Sequence, residues 1–343
     1  MNPLHVDLDH ILEHTRELWE QMRGERLFLS GGTGFFGCWL LESFLWANER
    51  LNLGASVTVL TRQPQAFIER APHLALAESV SLLAGDIRSF AFPSGTFSQV
   101  LHAATDASAR LNAEKPLLML DTIVDGTRRA LDFAAQAGAR NFLLTSSGAV
   151  YGRQPADLTH IPESYQGAPD PLDLKSAYGQ GKRLAEHLCA QYARAQGLQP
   201  KIARCFAFVG PGLPFDAHFA IGNFIRDGLR GGPIIIQGDG TPQRSYLYAA
   251  DLSIWLWTIL LKGQALRPYN VGSDESLSIA QVARRVAQEF PAGIRVEIHG
   301  TPNLLKPLER YVPDTGRAKS ELNLQVWISI NDGIQRTLNG YRE

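Results

Sequence analysis

The chain has 343 residues, 45% of them hydrophobic and 20% charged, with a formal net charge of -1. That length and make-up fit one large packed domain or two fused ones, and exclude a disordered chain. A near-neutral charge with no long basic run excludes a general nucleic-acid or membrane-surface binder, and no apolar run reaches the ~20 residues of a membrane span. Cys38, Cys189 and Cys205 share no metal or redox spacing, so no metal site is expected, and the thiols read as small buried side chains in a reducing compartment. Met1 to Arg23 carries acids throughout and no cleavable apolar stretch, which predicts a cytoplasmic protein without a signal peptide.

In chain order, Leu8, Ile11, Leu12, Thr15 and Leu18-Trp19 recur at helical spacing between charged residues. Residues 1–25 therefore read as an amphipathic helix placed before the first strand. Leu27 to Leu29 suits that buried strand. Gly31, Gly34 and Gly37 follow at once, and Trp39-Leu40-Leu41 with Phe44-Leu45 then repeats at helical spacing. Strand, tight glycine turn and helix is the context in which such a motif holds a dinucleotide. Gly31 permits the sharp turn, Gly34 lets backbone approach a pyrophosphate, and Gly37 lets the helix pack close to the strand. The helix N-terminus offers N–H groups and a positive dipole end to the phosphates. The spacing is Gly-x-x-Gly-x-x-Gly rather than Gly-x-Gly-x-x-Gly.

Val57 to Leu60 is the second strand, and the adenosine ribose is expected beside its C-terminal end. An NAD site usually carries Asp or Glu there. Thr61 and Arg62 stand in that place, and a guanidinium without a carboxylate suits the 2′-phosphate of NADP, with NAD the alternative. Leu82 to Ile87 is the third strand, with Asp86 as an acceptor for the adenine amino group. Gln99 to Ala104 is the fourth and ends in small residues that leave room for a ligand. A helix is predicted from Leu117 to Ala137 with Gly138 as its stop, and Phe142 to Leu144 is the fifth strand. This alternation predicts an α/β fold with a doubly wound parallel sheet. After about residue 205 glycine and proline become frequent and no second glycine fingerprint appears, which predicts a smaller lobe.

The fifth strand runs into Ser147, Gly148 and Ala149. Further on, Tyr178 and Lys182 lie four residues apart, on one face of a helix. A lysine there can hold a nicotinamide ribose, and its charge favours the ionised phenol. The phenol can then exchange a proton with a substrate hydroxyl while hydride passes to or from a cofactor, and Ser147 is placed to orient the same hydroxyl.

Together these residues resemble the extended short-chain dehydrogenase/reductase family, in its nucleotide-sugar epimerase/dehydratase branch, from about Arg26 to Ile334. Later stretches match too: Arg204-Cys205-Phe206 with Gly210-Pro211, Gly238-Asp239-Gly240 with Arg244, Tyr248 with Asp251-Leu252, Tyr269-Asn270-Val271-Gly272, and Arg310 with Pro313-Asp314. The resemblance implies a Rossmann-type domain over residues 26–204 and a mainly substrate-binding lobe over 205–343, some of whose segments return to the first domain, with the active site in the cleft between. It implies Ser147, Tyr178 and Lys182 as the catalytic residues. It implies a site for NADP or NAD formed by Gly31, Thr33, Gly34, Phe35, Phe36, Gly37, Thr61, Arg62, Asp86, Ile87, Ala103, Ala104, Tyr178 and Lys182. The implied substrate, a nucleotide-diphosphate sugar, falls to Thr105, Ser147, Gly148, Ala149, Asn223, Arg244 and Arg310, with the two arginines on the diphosphate.

The departures from the family pattern carry information. Family 4,6-dehydratases place Asp-Glu after the position of Ser147, and the UDP-glucuronate decarboxylases keep a glutamate there. Here Gly148 and Ala149 cannot transfer protons. The usual asparagine and tyrosine after the Arg-x-Phe run are Ala207 and Val209, and a common cofactor-side asparagine is Ile123. Glu163, Asp106 and His218 are the substitutes for the missing acid and base, each with a structural or solvated role as the plainer reading. The leading expectation is a 4-epimerase working by hydride transfer at C4. The alternative is an NADPH-dependent reductase of a 4-keto-6-deoxy sugar nucleotide. Behind these stand a dehydratase and a non-catalytic cofactor-sensing relative. A homodimer is expected through the helix from Leu117 to Ala137 and the Tyr178 helix, with Leu118, Met119, Leu188 and Tyr192 among their apolar positions.

Overall fold

Leu27–Leu29 and Val57–Leu60 are apolar runs of the kind that strands buried on both faces require. In the computed structural model, which describes residues 2–105, 109–215, 219–290, 293–303, 305 and 307–341, both are central strands of one sheet. Its strands are β1 (Arg26–Ser30), β2 (Ser56–Thr61), β3 (Val80–Ala84), β4 (Gln99–His102), β5 (Asn141–Ser147), β6 (Pro200–Cys205) and the edge strand Pro268–Val271. In space they run Pro268–Val271, β6, β5, β4, β1, β2, β3. The β4–β5, β1–β4, β1–β2 and β2–β3 pairs are parallel, with Leu29 level with Val59 and with Leu101. This is the doubly wound Rossmann-type sheet expected from the alternation of strands and helices.

Two strands end earlier than their apolar composition suggests. The third stops at Ala84, where Gly85 N donates the last bond of the ladder to Thr61 O (3.0 Å) and the chain then leaves the sheet. The fourth stops at His102, after which Ala103 N donates to Ser30 O (3.0 Å) at the edge of the glycine turn.

The helices are α1 (His5–Thr15), α2 (Phe35–Arg50), α3 (Pro64–Arg70), α4 (Pro72–Ala75), α5 (Ala109–Glu114), α6 (Pro116–Gln136), α7 (Ala177–Gln196), α8 (Ala220–Leu229) and α9 (Ala249–Lys262) among those of the described residues. The chain divides into two units. One comprises Met1–Val150, Pro169–Arg204 and Ser253–Tyr269; the other comprises Tyr151–Ala168, Cys205–Leu252 and Asn270–Glu343. The core of the first unit stacks Phe28, Phe90, Phe97 and Phe133, with Phe28 and Phe133 ring centres 4.5 Å apart. The N-terminal segment belongs to this unit. It is α1 followed by a 3₁₀ turn (Arg16–Met22) rather than one helix: Thr15 Oγ1 donates back to Ile11 O (2.6 Å) and accepts from Trp19 Nε1 (2.9 Å). Trp19 packs on Trp257 of α9, whose indole N–H donates to Ser43 Oγ on α2 (2.9 Å).

Two of the four residues expected at a dimer face, Met119 and Leu188, are buried in the first unit's own core, and Tyr192 Oη donates to Asp132 Oδ1 (2.5 Å) across α6 and α7. Leu118 remains partly exposed, as do Leu117 and Leu184. The second unit contains short strands: Gln243–Arg244 lies between Leu277–Ser278 and Arg310–Tyr311, and Ile234–Ile236 pairs with Val296–Ile298. Among the described residues no helix is long and apolar enough to cross a membrane.

Candidate active site

The glycine turn joins β1 to α2. Gly31 has φ +77°, and a Cβ there would lie 2.5 Å from the Ala103 carbonyl, so both conformation and space demand glycine. A Cβ on Gly37 would lie 2.3 Å from Gly31 O and from Gly32 Cα, so only glycine lets the first turn of α2 close onto the loop. Gly34 differs. It is the N-cap of α2 and is exposed, and the nearest atom to a Cβ would be Gly31 O at 3.5 Å. No side chain caps this end, and no acid stands in its first turn. Gly34 thus leaves room at the N-terminus of α2, where helix N–H groups and the positive dipole end favour a pyrophosphate. Thr33, Phe35 and Phe36 line the same turn, the two phenyl centres 6.0 Å apart.

At the end of β2, Thr61 is buried and its hydroxyl accepts from Gln63 N (3.3 Å), while Arg62 is exposed. Asp86 lies beyond β3, and both its oxygens are held by Arg88, at 2.8 Å to Nε and 3.1 Å to Nη2. The Arg88 hydrogen bonds hold the Asp86 carboxyl below the usual carboxylate range. Ile87, expected beside the cofactor, is buried in the core against Gly126 of α6, where a Cβ would lie 3.0 Å from Ile87 Cγ2. A residue from α3 also reaches the turn, and no local pattern announced it: Arg70 Nη2 donates to Thr33 O.

Ser147 ends β5, is 6% exposed, and its hydroxyl accepts from Ala149 N (3.1 Å). Gly148 and Ala149 begin the 3₁₀ turn that follows (Gly148–Tyr151), Gly148 buried and Ala149 half-buried. Lys182 is 2% exposed, and its ammonium donates to Thr105 Oγ1 (2.9 Å) and Thr145 O (2.7 Å). Thr105, read from the sequence as a substrate residue, is thus a partner of Lys182. The ammonium lies 5.9 Å from the Tyr178 ring centre. Asn112 of α5 caps α7: its carbonyl oxygen accepts from Tyr178 N (3.1 Å), and its amide donates to Lys175 O (2.8 Å). Gly179 brings α7 against the strand end, since a Cβ would lie 2.8 Å from Ala149 O. Ile123, which stands where the family has a cofactor-side asparagine, is fully buried against Gly181. Below the site His102 bonds Ser30 Oγ (2.7 Å) through Nδ1 and Thr127 Oγ1 (3.2 Å) through Nε2. Burial, reinforced by Lys182, lowers its pKa to about 3, which keeps the ring neutral. A cavity of about 590 Å³ along α7, bordered by Arg183, Glu186, His187 and Arg204, is lined by none of Ser147, Tyr178 and Lys182.

In the second unit, Arg244 pairs with Glu309 and donates to Gln243 O (2.9 Å), whereas Arg310 donates to Ala156 O (2.8 Å). The strand register sets Arg244 level with Tyr311 and Arg310 level with Gln243, so the two guanidiniums stand at alternate positions and hold different partners. Asn223 on α8 accepts from Arg226 Nη1 (3.1 Å). Glu163 accepts from Asn270 N (2.9 Å) and faces Arg317 (3.8 Å). Burial raises its pKa above the ordinary carboxylate value. Asp106 and His218 lie outside the described residues.

The family model for the NAD dependent epimerase/dehydratase family matches residues 27–272, from β1 through the edge strand Pro268–Val271. The chain belongs to that family. UDP-glucuronic acid decarboxylase 1 of Arabidopsis thaliana is 30% identical over 318 residues, covering 92% of this chain and 70% of the plant protein. Among solved structures, a UDP-glucose 4-epimerase of Thermus thermophilus in complex with NAD aligns with TM-score 0.75 and 24% identity, over 92% of this chain and 99% of that one. The dTDP-glucose 4,6-dehydratase DesIV of Streptomyces venezuelae aligns with TM-score 0.76 and 24% identity, over 93% and 97%. As a member of the NAD dependent epimerase/dehydratase family, the chain is an NAD(P)-dependent oxidoreductase of the extended short-chain type, and the family's chemistry is oxidation and reduction at C4 of a nucleotide sugar. The uncapped N-terminus of α2 and the open face of Gly34 fit the family's cofactor.

Proposed function

We propose that this enzyme is a nucleotide-sugar 4-epimerase that works by hydride transfer at C4 and performs no elimination or decarboxylation. One observation carries the reading: Ser147, Tyr178 and Lys182 are present, while Gly148 and Ala149 fill the next two positions, where neither side chain holds a proton. Tyr178 takes the proton of the C4 hydroxyl through its phenol oxygen and returns it after reduction. Ser147 hydrogen-bonds the same sugar oxygen. Lys182, held at Thr105 and Thr145, keeps a positive charge beside the phenol and favours its ionised form. Bound NAD(P) supplies the hydride acceptor and donor. Arg244 and Arg310 are the cations proposed for the diphosphate, and Arg244 exchanges Glu309 for it.

A one-way reductase of a 4-keto-6-deoxy sugar nucleotide is the second reading, favoured by Arg62 at the end of β2, because a reductase exchanges NADP each turnover. The name of the Arabidopsis thaliana relative points to decarboxylation, but the glutamate that resemblance assigns to that chemistry is missing here. Turnover of parent and 4-keto nucleotide sugars, followed by mass spectrometry and NMR, separates these. An epimer of unchanged mass with no net cofactor consumption is expected. A product lighter by water or carbon dioxide at ordinary enzymatic rates refutes the proposal, and deuterium gained from labelled cofactor with net consumption assigns the reductase. We further propose a cytoplasmic homodimer, supported by three unbridged cysteines and by exposed Leu117, Leu118 and Leu184 on α6 and α7. A monomeric mass in light scattering at micromolar concentration refutes the assembly.

A further inference from the structure

In the second unit, Val209 runs directly into Gly210-Pro211-Gly212, and α8, which carries Asn223, follows at Ala220. Two helices of that unit hold the segment Gly210–Phe215. The first is the helix Ile330–Asn339, packed so closely that a Cβ on Gly333 would lie 3.1 Å from Tyr248 Cδ2 and 3.4 Å from Val209 Cγ1. Just past its end Tyr341 N donates to Leu338 O (3.1 Å), and a Cβ on Gly340 would lie 3.2 Å from Pro211 Cγ. Tyr341 then closes on the segment. Its Oη accepts from Gly212 N (3.1 Å) and donates to Leu213 O (3.3 Å), and its ring centre is 4.5 Å from that of Phe215. Gly212 is exposed at φ +84°, with nothing within 4 Å of its Cβ position, and among the described residues Tyr341 Oη is the partner of its N–H. The second helix is α8. Arg226 Nη1 donates to both Phe215 O (3.3 Å) and Asn223 Oδ1 (3.1 Å), and a Cβ on Gly222 would lie 3.1 Å from Pro214 O. An unbroken chain of contacts thus runs from Tyr341 through Phe215 and Arg226 to Asn223.

We propose that Tyr341 is a positioning residue for the nucleotide sugar: it latches Gly210–Phe215 and, through Arg226, fixes Asn223 in the arrangement that receives the nucleoside diphosphate. Glycine loses more freedom on ordering than any other residue, so an exposed Gly212 needs an outside partner to stay in place. Tyrosine supplies one, with an apolar ring for Phe215 and a polar tip for the backbone. A site that is ordered only part of the time binds more weakly by that fraction, so the latch acts on substrate affinity and touches no reacting atom. The inference rests on the nucleotide-sugar reading of this lobe, with Asn223 as a substrate residue, and deepens it.

The test is calorimetric titration of the NAD⁺-saturated protein with UDP, dTDP, GDP and CDP, the diphosphate halves of nucleotide sugars. It compares wild type, Tyr341→Phe, Tyr341→Ala, Arg226→Gln and the Tyr341→Phe/Arg226→Gln double variant. Titrations with NAD⁺ alone and melting temperatures are recorded alongside, and Tyr341→Phe keeps the test open should Tyr341→Ala not fold. Wild type is expected to bind at least one diphosphate. Tyr341→Phe keeps the ring and removes the hydroxyl, so that affinity should fall about 2- to 13-fold, the range for one neutral hydrogen bond. Tyr341→Ala also loses the Phe215 contact and should fall about 5- to 150-fold. NAD⁺ affinity should stay unchanged, and the double variant should lose less than the two single losses combined, because both act through Phe215. A wild type that binds none of the four diphosphates refutes the nucleotide-sugar reading, and this inference with it. Diphosphate binding that both Tyr341 variants retain in full overturns the role of Tyr341 alone. Equal losses of NAD⁺ and diphosphate with a lowered melting temperature assign Tyr341 to the fold, and additive losses break the path through Arg226; either result overturns the proposal.

Discussion

Gly34 and Gly37 stand three residues apart in one turn, and the geometry gives their alanine variants opposite outcomes. At Gly34 the backbone is at φ -86° and ψ -177°, which any residue adopts, and an added Cβ meets nothing closer than 3.5 Å. Alanine is a poorer N-cap than glycine by several tenths of a kcal/mol. That loss is offset by roughly 0.4–1 kcal/mol from the reduced freedom of the unfolded chain. The ligand-free protein should keep its melting temperature to within about 2 °C. The new methyl, however, projects where the pyrophosphate has to approach. Loss of one charge-assisted backbone contact costs about 1.5–3 kcal/mol, or about 10- to 150-fold in affinity for NAD⁺ and NADP⁺ alike. At Gly37 the added Cβ meets backbone at 2.3 Å, which cannot yield as a flexible side chain can. Overpacking of that kind costs roughly 1–3 kcal/mol, and the ligand-free protein should melt lower as well as bind worse. Scanning fluorimetry and calorimetric titration of both variants check this. Unchanged cofactor affinity in Gly34→Ala would falsify the placement of the pyrophosphate, and an unshifted melting temperature in Gly37→Ala would sink the close-approach argument.

Two further outcomes follow from named side chains. Tyr178→Phe should lower turnover by about 10²–10⁴-fold, the usual worth of one positioned proton-transfer group, with cofactor affinity little altered; comparable activity would assign the proton to another residue. Lys201 on β6 is buried, with its ammonium on Asn141 Oδ1, and burial lowers its pKa from 10.5 to about 8. The unfolded chain then holds more protons than the folded one between pH 8 and 10.5, so stability rises across that window, by up to about 3 kcal/mol. Denaturant melts of wild type and Lys201→Met from pH 7 to 10.5 measure the difference, and parallel curves would contradict it.

Much of the fold was legible because its signals are local. Apolar runs at Leu27–Leu29 and Val57–Leu60 mark strands buried on both faces, and the repeat from Leu117 to Ala137 marks α6 to within a residue at each end. The β1–turn–α2 unit is written in glycine spacing because a left-handed φ at Gly31 and the missing Cβ at Gly37 are properties of those residues. The order of Ser147, Tyr178 and Lys182 likewise needs no tertiary information to be noticed. The ends of β3 and β4 were read too late, because Ile87 and the small Ala103 and Ala104 extend the apolar pattern past the point where pairing stops, and composition does not record hydrogen bonds.

What only the tertiary structure decided is which distant residues meet. Lys182 is held by Thr105, 77 positions earlier, and Tyr178 N by Asn112, 66 positions earlier. Arg70 reaches Thr33 because α3 follows β2, which lies beside β1 in the sheet. Packing also sent Ile87 and Ile123 into the core beneath the site, where small Gly126 and Gly181 leave room for them. It likewise set residues 151–168 in the second unit and the N-terminal segment in the first. Periodicity says that a face is apolar, and it is silent on what covers it. That is settled when the whole sheet and its helices close together, because apolar burial is non-directional and goes to whichever surface the topology brings into reach.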